Sequence, residues 1–70
     1  MARLVRQQIM PRKGMRHARI TQEIPMDALA AATGFSKSWL HKVENGKVGL
    51  YLEHATLISA ALGVQTDALL

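Results

Sequence analysis

Seventy residues suffice for one domain, and a domain this small buries only about 60% of the surface its unfolded chain exposes, which favours added contacts from a second copy. Nine Lys plus Arg against five Asp plus Glu give a formal charge of +4 and a pI near 10.2, a balance that suits a polyanionic partner without naming one. The absence of cysteine excludes disulfide staples and thiolate metal sites, and no apolar run reaches the roughly 18–20 residues needed to span a membrane, so a cytoplasmic protein is expected.

The charge is placed unevenly. Residues 1–22 carry Arg3, Arg6, Arg12, Lys13, Arg16 and Arg19 with no acid, whereas residues 23–70 carry three lysines against five acids. Residues 1–13 show no helical stripe and end in Met10-Pro11-Arg12-Lys13, so they are expected to form a basic N-terminal arm. Its Leu4, Val5, Ile9 and Met10 leave open a short strand, a segment packed on a partner, a groove-reaching arm or a mobile tail.

Residues 14–70 read as one helical domain. A first helix is expected from about Met15 to Gln22, with Met15 and Ala18 inward, followed by a break at Pro25, which suits the first turn of a second helix over Met26 to Ala32. Asp27 lies near the positive end of that helix. Ala30 sits where the second helix must let a third approach closely, and Gly34 supplies a positive φ that costs an L-residue roughly 1–2 kcal/mol.

Phe35 fills the angle, Ser36 is placed to cap a third helix running to about Glu44, and Gly46 stands where a left-handed C-terminal cap belongs. Leu40 and Val43 join Leu29 and Phe35 in an inward stripe, which leaves Ser38, His41, Lys42 and Asn45 outward, flanked by Lys37 and Trp39. That outward face holds no carboxylate and suits a polyanion with readable edges. A loop from Lys47 to Tyr51 precedes a fourth helix, Leu52 to Leu62, with Leu52, Ala55, Ile58, Ser59 and Leu62 buried and Leu57 facing elsewhere. Gly63 ends it, and Thr66 caps a final turn. The expected architecture is all-α, a compact bundle of about five short helices.

In order, Leu29, Ala30, Gly34, Phe35, Leu40, Val43 and Glu44-Asn45-Gly46 resemble the phage-repressor and Cro-like (Xre-type) helix-turn-helix proteins. The resemblance runs from about Met15 to Leu70, since Ile58, Ala61, Leu62, Gly63 and Val64 look like that family's fourth helix and its end, and Thr66 to Leu70 like its fifth. It implies a lambda-repressor-like domain that binds double-stranded DNA, as a homodimer reading an inverted repeat. It also implies that Arg19 pairs with Glu44 as a structural ion pair, and that Lys37, Ser38 and Lys42 stand at base-contacting positions, with outward His41 beside them. Ser36, Asn45, Gly46 and Lys47 resemble its backbone-contacting positions, and Trp39 either covers the core edge or presses on sugar-phosphate or a thymine methyl. One departure is Pro25-Met26, which offers phosphate no side-chain hydrogen bond where the family often has a glutamine-like residue.

The other function classes find little support. His17, His41 and His54 have no i, i+4 pairing and no cysteine companions, so no metal or cofactor is expected. No nucleophile stands at recognisable spacing from a base and an orienting acid, so no enzyme is expected, and no small-molecule effector site is evident. The main alternative is a protein-interaction module on the same fold, antitoxin or anti-repressor-like, that docks through Leu50, Tyr51, Leu57, Leu69 and Leu70.

Overall fold

The computed structural model describes residues 4–6 and 12–69. A short strand β1, Leu4–Arg6, is followed by helices α1 (Lys13–Thr21), α2 (Met26–Thr33) and α3 (Lys37–Glu44). Strand β2 (Leu50–Tyr51) then leads directly into α4 (Leu52–Leu62), and a 3-10 turn over Thr66–Leu69 follows. The two strands pair antiparallel, Leu4 opposite Tyr51 and Arg6 opposite Leu50, with an irregularity between the two pairs.

Two expectations change here. The domain is not purely α, because β1 and β2 form a sheet between segments more than forty positions apart, a pairing that no local pattern encodes. The fifth helix is a single 3-10 turn, closed by a bond such as Ala68 N–H to Gln65 C=O at 2.9 Å, and four residues hold no more than that.

The core gathers Met15 and Ala18 from α1, Met26 and Leu29 from α2, Leu40 and Val43 from α3, Ala55, Ile58 and Leu62 from α4, with Leu50 and Leu69 between them. Leu50 and Leu69 are therefore corrected from docking residues to core residues, each fully buried. Leu52 is corrected the other way, being 43% exposed. The alternation of β2 turns Leu50 inward and Tyr51 outward, which leaves the first residue of α4 at the rim of the core. Leu57 and Tyr51 are exposed, and Leu70 lies outside the described residues.

Helix ends follow the glycines. Gly34 takes φ 80° and its amide donates to the Ala30 carbonyl at 2.8 Å, closing α2. A Cβ built there meets nothing within 4 Å, so the demand for glycine is conformational, not steric. At the end of α3, Gly46 N–H donates to Val43 C=O (3.1 Å) and Lys47 N–H to Lys42 C=O (2.8 Å), the paired bonds of a Schellman cap.

The end of α1 makes the same two bonds, Glu23 N–H to Ile20 C=O and Ile24 N–H to Arg19 C=O, but places Glu23 at φ 55° where a glycine would be at ease. Glu23 is exposed. Glu23→Gly is therefore expected to stabilise the domain by about 0.5–1 kcal/mol, the relief of left-handed strain less the extra chain entropy of glycine. Thermal melting checks this, and a lower midpoint would contradict it.

Candidate nucleic-acid interface

Helix α3 is built to be held from behind. Its N-terminus is capped by Ser36, whose Oγ accepts from Trp39 N–H at 3.1 Å. Leu40 and Val43 are fully buried, and Ala30 of α2 lies partly buried against the same core, where α2 and α3 pack together. Its C-terminus is clamped by two arginines from the N-terminal side of the domain. Arg19 meets Glu44 through two bonds, Nε to Oε2 and Nη2 to Oε1, each 2.9 Å, and Nη1 also donates to the Ile24 carbonyl at 3.3 Å. The Arg19 guanidinium is held above its ordinary range by the hydrogen bond to Glu44 and by the charge of that carboxylate, with burial acting in the opposite direction.

Arg12 is the second clamp, and the sequence gives no local sign of it. Only 2% exposed, it donates its amide to Glu44 C=O (2.9 Å) and Nη1 to Val43 C=O (2.7 Å). A cation on the last carbonyls of a helix is favoured by the helix dipole. Arg12, counted with the basic arm, is thus built into the body of the domain, directly ahead of α1.

With Glu44 drawn into that clamp, the outward side of α3 presents Lys37, Ser38, His41, Lys42 and Asn45, all exposed, and Lys47 just beyond it. Ser36 is exposed as well. No salt bridge among the described residues engages Lys42 or Lys47. Lys37 differs, since its Nζ lies 3.0 Å from Oδ1 of Asp27, a pairing that the sequence reading of Asp27 as a helix-dipole acid missed.

Trp39 is half-buried in an aromatic cluster, edge-on to Phe35 with centroids 5.0 Å apart and to His54 at 5.2 Å. Phe35 and Tyr51 also meet His54, at 5.3 and 6.0 Å. The indole therefore covers the core edge and is fixed at one flank of α3. Gly46 needs correction: it is buried, and its amide is used by Val43, so the donor expected to meet a phosphate is committed within the cap.

Among the described residues no group of three His, Cys, Asp or Glu comes together as a metal site, and no helix is long and apolar enough to cross a membrane. Two short helices crossed through a glycine turn, the second capped, clamped against α1 and packed on α2 with its other side outward, make a helix-turn-helix fold. The same fold is found in the restriction-modification controller protein C.AhdI from Aeromonas hydrophila, whose crystal structure matches with a TM-score of 0.77 over 83% of this chain and 88% of that one. Identity over the match is 22%, so the likeness is one of fold. No family model matches the chain, and no curated protein matches it in sequence.

Proposed function

We propose that this protein is a sequence-specific, double-stranded-DNA-binding transcriptional regulator that acts as a homodimer on an inverted repeat and represses by occluding a promoter. The observation that carries the reading is the outward side of α3: Ser38, His41, Lys42 and Asn45 stand exposed while the helix's only carboxylate is buried against Arg19. A B-DNA major groove about 12 Å wide admits one such helix when a second props it. Lys42, Ser38, His41 and Lys37 then face base edges, lysine suiting guanine O6 and N7, while Ser36, Asn45, Lys47 and the Trp39 flank face the sugar-phosphate backbone.

The controller role of the fold neighbour supports regulation as the purpose. Two copies reading half-sites about 34 Å apart would add the contacts that a 70-residue domain lacks. The protein-docking alternative is weakened by the burial of Leu50 and Leu69, which removes two of its five residues from the surface.

Selection of bound sequences from a random duplex pool, followed by affinity measurements across salt, tests this. Log affinity is expected to fall with log salt at about −0.9 per phosphate contact, and Lys47→Ala to flatten that slope by about one contact while sparing sequence preference. No enriched sequence and no salt dependence would overturn the reading.

A further inference from the structure

The Asp27–Lys37 pair spans the turn between the two crossing helices, Asp27 as the second residue of α2 and Lys37 as the first of α3. Asp27, in the first turn of α2, is favoured by that helix's dipole, whereas Lys37, at the first residue of α3, is opposed by its own, so the carboxylate offsets an unfavourably placed cation. The side chains are 76% and 53% exposed, and pairs so open to water add little stability. The consequence of the pair is therefore to be sought in what approaches this surface.

Building on the DNA-binding reading above, we infer that Asp27 is a specificity-determining residue, whose carboxylate holds Lys37 back from phosphate while leaving it free to meet a base edge. A phosphate that takes Lys37 must compete with a carboxylate already 3.0 Å away, and its own negative charge is repelled by Asp27. A guanine acceptor is neutral. The lysine ammonium has three donors, so it can keep Asp27 and still give a hydrogen bond to O6 or N7. Binding through the backbone alone thus loses one cation, whereas binding in register keeps it. The carboxylate is subtracted from non-specific affinity more than from specific affinity.

Asp27→Asn removes the charge at an exposed position and keeps the side chain's size. Its affinity for mixed-sequence duplex is expected to rise about fivefold at low salt, with a log–log salt slope steeper by about 0.9, while affinity for a duplex recovered by selection changes less than about twofold. In a Lys37→Ala background the same substitution is expected to have at most half that effect on mixed-sequence duplex. An unchanged affinity for mixed-sequence duplex would overturn the inference. So would an equal gain on both duplexes, or an equal gain with and without Lys37. If the unsubstituted protein bound neither duplex, the DNA-binding reading itself would fall and this inference with it.

Discussion

Glu44→Ala is expected to destabilise the domain by about 3–5 kcal/mol, because it leaves the Arg19 guanidinium without its partner in a largely buried site. Glu44 is 6% exposed and Arg19 16%, and both bonds between them are short, so removal strands a charge that water reaches poorly. The same substitution takes away one of the two links at the last turn of α3 and leaves the Arg12 bonds to the Val43 and Glu44 carbonyls in place. Replacing both members, Arg19→Met with Glu44→Leu, is expected to be close to neutral or stabilising, since the desolvation cost disappears along with the attraction. Urea unfolding of the two single variants and the double variant separates these outcomes. A loss under about 1 kcal/mol for Glu44→Ala would show that the pair is solvated and the clamp unnecessary.

Leu40→Ala is expected to cost about 2–5 kcal/mol, the range for removing a buried leucine side chain. Leu40 is fully buried at the centre of α3, and it shares the core with Leu29, Val43 and Ile58. Small domains hold a net stability of order 5–15 kcal/mol, and this chain belongs at the low end, so the variant should lose much of its folded population. Leu40→Met keeps the volume and should cost less than about 1.5 kcal/mol. DNA affinity should follow the folded fraction in both variants. A Leu40→Ala protein with an unchanged unfolding midpoint would contradict the packing described for α3.

What the sequence made legible is what local chemistry dictates. Gly34 and Gly46 stand at helix ends because the backbone there turns left-handed, and Ser36 caps α3 with the bond its side chain predicts. The inward stripe of Leu29, Leu40 and Val43 is likewise a matter of periodicity, and it leaves Ser38, His41, Lys42 and Asn45 outward as expected. The missed features are those that depend on distant partners. Arg12 resembles any basic residue of a tail until Val43 and Glu44 supply carbonyls for it from more than thirty positions away. Leu50 reads as a loop residue until strand pairing with residues 4–6 turns it inward, and Leu52 loses its place in the core for the same reason. Asp27 was legible as a helix-dipole acid, but its contact with Lys37 exists only once α2 and α3 cross.

Lys42→Ala tests most directly whether α3 reads bases through its outward side. Affinities of both proteins should be measured for a selected duplex, for its single-base-pair variants and for mixed-sequence duplex at one fixed salt concentration. The predicted result is a loss of about 1–3 kcal/mol of discrimination at one base pair of each half-site, with affinity for mixed-sequence duplex little changed. Equal losses on selected and mixed-sequence duplex, or undiminished discrimination at every base pair, would contradict it.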